Sequence, residues 1–136
     1  MIVYGDASAL VKRYLVEAHH DRVRAWIAAA DLVASSRIAY VEVRRAVGRS
    51  GVPDVSDRLT RFELDWQLTW VIDVTQPVAE SAAKLAAYHG LRSLDAIHLA
   101  SALTIGLPDL HLATFDENLW RAARAVGLNV LPPTWP

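Results

Sequence analysis

The chain has no cysteine among its 136 residues, which removes disulfide scaffolds, thiolate zinc sites and cysteine nucleophiles from consideration. It has no long apolar run of the length a membrane helix requires. Met1-Ile2-Val3-Tyr4 is followed closely by Asp6, Lys12 and Arg13, so the start does not read as an export signal. A soluble, cytoplasmic protein is the expectation. Neither sign of charge dominates: 14 Lys+Arg stand against 15 Asp+Glu, a formal net charge of −1. That balance lacks the overall basic signature of a nucleic-acid binder. It is also too small, beside 53% hydrophobic residues, for a disordered chain. Repeats, low-complexity tracts and a Gly-x-Ser-x-Gly nucleophile elbow are missing as well. What remains is one domain over residues 1–136, long enough to bury a core.

Short apolar runs alternate with helical periodicity. Strands are expected at Ile2–Tyr4, Leu32–Ala34, Trp70–Ile72 with Val74, Leu110–Thr114 and Asn129–Leu131. Helices are expected over Ser8–Val16, His20–Ala30, Ile38–Arg49, a segment capped by Asp54 and running to Leu68, Val78–His89 after Pro77, Ser93–Ile105 with Ser93 as cap, and Glu117–Val126. Gly90 and Gly106 stand where helix ends need them. This alternation predicts an α/β fold, a parallel sheet of four to five strands covered on both faces. The tail Pro132-Pro133-Thr134-Trp135-Pro136 is expected to lie extended, with no core role for Trp135.

In such a sheet ligands bind beyond the carboxyl ends of the strands. Asp6 directly follows the first strand and Asp116 follows the fourth. Asp95 lies in the first turn of a helix, where a carboxylate also suits the helix dipole, and the same holds for Asp116. Glu42 shares a helix face with Ala39, Val43, Ala46 and Val47, so it must be paired, protonated or metal-bound. An arginine salt bridge is one way to satisfy it. Asp95 likewise opens a stripe with Leu99, Ala102 and Leu103. His98, close to that face, reads as a polar core or rim residue with a hydrogen-bond partner. Carboxylates gathered at one sheet edge repel each other unless a cation intervenes, and oxygen-only ligation favours Mg²⁺ or Mn²⁺. Such ions support hydrolysis of a phosphodiester by water, with no side-chain nucleophile.

Four stretches carry a resemblance: Val3-Tyr4-Gly5-Asp6-Ala7-Ser8-Ala9-Leu10, Ala39-Tyr40-Val41-Glu42-Val43, Leu94-Asp95-Ala96-Ile97-His98-Leu99-Ala100 and Ala113-Thr114-Phe115-Asp116. In order and spacing the chain resembles the PIN-domain ribonucleases, and among them the VapC toxins of VapBC toxin–antitoxin pairs. The resemblance implies a three-layer α/β/α PIN-like fold and Mg²⁺- or Mn²⁺-dependent endonucleolytic cleavage of RNA. It implies that Asp6, Glu42, Asp95 and Asp116 are the catalytic metal-site residues, supported by Ser8, Thr114 and Asn118. It also implies a homodimer, a cognate VapB-type antitoxin that threads its C-terminal segment through an apolar groove, and heterotetramers or larger assemblies with it. Ala7 replaces a threonine common in relatives, and Gly5 a bulkier residue.

Arg92, separated from Asp95 by only two residues, is the best candidate for an RNA phosphate contact. Lys12, Arg13, Arg37, Arg44, Arg45 and Arg49 are others. Trp26 and Trp66 are candidates for the dimer interface or antitoxin groove. Two other classes compete with a nuclease: an inert PIN-like binding or scaffold module, and an aspartyl-phosphate phosphotransfer domain. The latter wants Asp-x-Asp or an early acidic pair, where this chain has Asp6-Ala7-Ser8. Setting the four proposed ligands aside leaves 14 basic against 11 acidic residues, so the total of −1 does not argue against an RNA substrate.

Overall fold

A computed structural model describes residues 1–136. Five strands, β1 (Ile2–Gly5), β2 (Leu32–Ser36), β3 (Trp70–Ile72), β4 (Leu110–Ala113) and β5 (Asn129–Leu131), form one sheet in the order β3-β2-β1-β4-β5. Every pairing is parallel. Seven helices connect them: α1 (Ala7–Leu10), α2 (His20–Ala29), α3 (Arg37–Gly48), α4 (Val55–Gln67), α5 (Gln76–His89), α6 (Ser93–Ile105) and α7 (Glu117–Ala125).

Strand alternation sorts these helices into two layers. Tyr4, Ala34, Leu110 and Leu112 point into a core shared with Leu99, Ala102, Leu119 and Trp120 of α6 and α7. On the other face Val33 packs with Leu10, Ala39, Val43, Val47 and Phe62 of α1, α3 and α4. Val3, Ala113 and Leu131 pack on that second face with Trp26 of α2 and Phe115. The chain winds outward from β1 to β3, then returns to add β4 on the other side of β1. The winding direction thus reverses between β1 and β4, and a crevice opens beyond their carboxyl ends.

The α/β architecture expected from the sequence is present, with five strands. The expected helix over Ser8–Val16 is shorter. A single turn, α1, passes into a 3₁₀ turn at Val11–Arg13. Beyond it the Tyr14 carbonyl, which a longer helix would use, accepts instead from Arg58 of α4 at 2.7 Å, and the Tyr14 hydroxyl anchors the residue to Asp65 at 2.7 Å. Ser93 is the first residue of α6 and not its cap; Arg92 holds the cap position without a capping side-chain bond. Asp54 occupies the cap position of α4, but its carboxylate pairs with Arg58 at 2.8 Å instead. Ala46 is exposed, because the buried stripe of α3 runs through Ala39, Val43 and Val47. Trp135 does pack against the core, its ring 5.6 Å from that of Trp120.

Gly5 is required by space. A Cβ there would stand 2.6 Å from Cδ2 and 2.8 Å from Cγ of Leu10, whose side chain is buried. Leu10 fills the volume that a bulkier residue at position 5 would take. Gly5→Ala is expected to destabilise the fold by about 1–3 kcal/mol in urea titration; an unchanged midpoint would show that Leu10 has room to move.

Candidate active site

Asp6 directly follows β1 as the N-cap of α1 and is 3% exposed. Its Oδ1 accepts from the Ser8 hydroxyl at 2.7 Å and from the Ala9 amide at 3.0 Å. Its Oδ2 accepts from the Thr114 hydroxyl at 2.6 Å. Both hydroxyls are themselves aimed by backbone donors: Phe115 N–H to Ser8 at 2.8 Å and Asp116 N–H to Thr114 at 3.0 Å. The loop after β4 therefore fixes the carboxylate that follows β1. Burial pushes the Asp6 carboxyl above the usual carboxylate range, although His98 and these hydrogen bonds pull the other way.

Asp116 caps α7, with Oδ1 accepting from the Leu119 amide at 2.9 Å. Its other oxygen faces Arg92 Nη2 at 3.3 Å, and Arg92 Nε lies 3.5 Å from Asp95. One guanidinium on an 83% exposed side chain thus spans two carboxylates. Burial raises the Asp95 carboxyl, Asp116 and Asp6 add to the rise, and Arg92 opposes it.

Glu42 is satisfied by the buried imidazole of His98. His98 Nε2 lies 2.7 Å from Glu42 Oε1, and Nδ1 lies 2.8 Å from the Tyr4 hydroxyl. The expected partner of His98 is therefore two partners, and Glu42 does not use an arginine. Glu42 and Asp95 line one hollow of about 420 Å³ together with Arg92, Ser93 and Leu94. A larger hollow, about 510 Å³, lies between α2 and α4 and is lined by Arg13, Arg24, Arg58 and Arg61; none of the four acidic residues reaches it.

Asp6, Asp95, Asp116, Ser8 and Thr114 thus share one neighbourhood, with Glu42 joined to it through His98 and the hollow. Asn118 is exposed on α7, and none of the site's hydrogen bonds runs to it. No three acidic or imidazole groups stand together as a ready-made cage for one ion. The donor set nonetheless suits a hard divalent cation: all carboxylate oxygen, with two carboxyls raised by burial, one of them further by its acidic neighbours.

A raised carboxyl carries a stability consequence. The cation-free folded chain holds the Asp95 proton more readily than the unfolded chain does. Stability therefore falls as pH climbs from the ordinary carboxylate range through the raised value, and the penalty is complete above it. Asp95→Asn removes that penalty and loses only a pairing with an exposed arginine. Its melting midpoint in EDTA is expected about 2–5 °C above wild type at neutral pH, with the gap closing toward about pH 4. A lower midpoint at neutral pH would contradict the repulsion.

The PIN-domain family model matches residues 3–125. The chain belongs to the PIN-domain family. Over 137 aligned residues it is 39% identical to ribonuclease VapC45 and to ribonuclease VapC49 of Mycobacterium tuberculosis, covering 96% of this chain and 95% of each relative. Among solved structures, a toxin–antitoxin complex from Klebsiella pneumoniae superposes with a TM-score of 0.73 at 20% identity, covering 98% of this chain and 99% of that one. Mycobacterium tuberculosis VapC20, described as a sarcin–ricin loop cleaving toxin, gives 0.73 at 19%, with the same coverage. At these identities the structural likeness speaks for the fold.

Several of this PIN domain's cations have carboxylate partners. Arg37 pairs with Asp73, Arg44 with Glu63, Lys12 with Glu17 and Arg13 with Asp65. Arg45 and Arg49 have none. The tryptophans proposed for partner surfaces are half-buried within the chain. Trp26 stacks on Phe115, and Trp66 packs against Tyr40 and Phe62. Sequence reading assigned no role to Phe115, His19 or Tyr4. Phe115, lying between Thr114 and Asp116, is the one whose position along the chain could have flagged it. No helix is long and apolar enough to cross a membrane.

Proposed function

We propose that this PIN domain is an endoribonuclease toxin that hydrolyses RNA phosphodiester bonds with Mg²⁺ or Mn²⁺ and is restrained by a VapB-type antitoxin. The observation that carries this reading is Asp6, a buried carboxylate with both oxygens oriented by Ser8, Ala9 and Thr114 at the β1–β4 crevice. Asp6, Asp95, Asp116 and Glu42 would hold the cation. When bound there it supplies charge screening, a lowered pKa for water and stabilisation of the leaving oxygen. The chain's own residues do the rest. Ser8 and Thr114 keep Asp6 oriented, and His98 keeps Glu42 aimed from below. Arg92, exposed and anchored only by ion pairs, is free to exchange its carboxylates for a substrate phosphate. The names of the 39% identical relatives support the ribonuclease assignment, and the Klebsiella complex supports an antitoxin partner. A homodimer, and heterotetramers or larger with antitoxin, complete the proposal.

The test is cleavage of mixed cellular RNA by antitoxin-free protein. Fragments are expected with Mg²⁺ or Mn²⁺ and none with EDTA. Cleavage that survives EDTA would overturn the metal mechanism, absence of cleavage with either ion would favour the scaffold, and covalent labelling by a phosphodonor would favour phosphotransfer.

A further inference from the structure

Next to Asp6 and Asp116 stands an aromatic stack of which the core accounts for only part. The His19 ring lies over that of Phe115, with centroids 4.8 Å apart and planes 9° apart. Trp26 also stacks on Phe115, at 5.9 Å and 15°. Lys12 Nζ lies 5.0 Å from the Phe115 centroid, and the Arg22 guanidinium 5.5 Å from that of Trp26. Phe115 is tied to the acidic site by the hydrogen bond its backbone N–H donates to the Ser8 hydroxyl, the group that orients Asp6.

Packing explains Trp26 and Phe115, which help close the second face of the sheet. It does not explain His19. This residue has φ 69° and ψ 8°, the left-handed region that favours glycine. It holds the N-cap position of α2 yet makes no capping hydrogen bond with its side chain. Its imidazole is directed onto Phe115 instead. The ring is half-buried, and no other ring stacks on its second face. A flat ring backed by an aromatic stack, with the exposed Arg22 beside that stack, has what stacking of an unpaired base uses, and the adjoining carboxylate site places it near the reacting phosphate.

We propose that His19, backed by Phe115 and Trp26, is a stacking platform for an unpaired base of single-stranded RNA flanking the scissile phosphate. Arg22, exposed and without a carboxylate partner, lies beside Trp26 to meet the backbone, whereas Lys12 is held by Glu17. The proposal rests on the ribonuclease reading for its substrate class, and it makes His19 a binding residue, not a catalytic one.

The test compares wild type, His19→Gly and His19→Tyr by fluorescence anisotropy in EDTA. The probes are a short single-stranded RNA and an abasic strand with the same number of phosphates. Glycine suits the backbone and removes the ring; tyrosine restores a ring. Wild type is expected to prefer the base-bearing strand by about ten-fold. His19→Gly should lose that preference while keeping its affinity for the abasic strand, and His19→Tyr should recover it. The proposal is overturned if His19→Gly binds RNA as wild type does, if it loses affinity for both strands equally, or if wild type binds neither. Cleavage separates this from the parent reading. Base preference without cleavage under Mg²⁺ or Mn²⁺ would sink the nuclease and leave the platform standing. Cleavage by His19→Gly with an unchanged KM would do the reverse.

Discussion

Asp6→Asn is expected to lower RNA cleavage by about a hundred-fold or more while the protein stays folded. The change alters one atom and one charge. The buried carboxylate accepts from Ser8, Ala9 and Thr114, so an amide keeps the acceptor facing Ser8 and Ala9. It places a donor against the Thr114 hydroxyl, which can turn toward Ser8, 3.3 Å away. The hydrogen bond lost is offset by removing a charge that burial already penalises. Net stability should therefore move by no more than about 1 kcal/mol in either direction. What the amide cannot replace is the negative charge that holds a cation at the crevice. Cleavage assayed beside circular dichroism checks this. A variant that keeps its fold and more than a tenth of wild-type activity would remove Asp6 from the mechanism.

His98→Ala is expected to cost about 3–5 kcal/mol of stability, the largest loss from a single change in the site. The imidazole is 1% exposed, and each nitrogen has a partner. Removing it opens a cavity in the layer between β1 and α6. It takes the imidazole partner from the hydroxyl of Tyr4, which is 0% exposed, and it frees Glu42 from its only hydrogen bond. His98→Gln can reach one of the two partners and should recover part of the loss. Urea unfolding measures both. A loss below about 1 kcal/mol in the alanine variant would mean that water replaces the ring, and that the Tyr4–His98–Glu42 chain contributes little to stability.

The fold was legible because its strands are short apolar runs and its helices keep their periodicity. Asp6 and Asp116 were legible because chain position alone places them at strand ends, where a doubly wound sheet opens its crevice. Other features depend on partners far away in sequence. Nothing local shows that Tyr14 ends its helix, since Arg58 and Asp65 come from another element. Glu42 and His98 each read as polar residues on apolar faces, but that they satisfy each other follows only from the fold, which lets side chains of α3 and α6, on opposite faces of the sheet, meet. Asn118 shows the opposite relation: it is near Asp116 in sequence, yet it is exposed on α7 and none of the site's hydrogen bonds runs to it. Arg92 was read as a phosphate contact from its proximity to Asp95. Its second partner, Asp116, became visible only with the loop after β4 in place.

A single titration tests the central claim most directly: Mn²⁺ added to the antitoxin-free protein, with ion occupancy and the initial rate of RNA cleavage measured in the same samples. The expected result is that both rise along one curve in wild type, and that Asp6→Asn shows weaker occupancy and no comparable rise in rate. Cleavage at full rate before the ion is bound, or saturated binding with no cleavage of any RNA, would contradict a metal-dependent ribonuclease built on these four carboxylates.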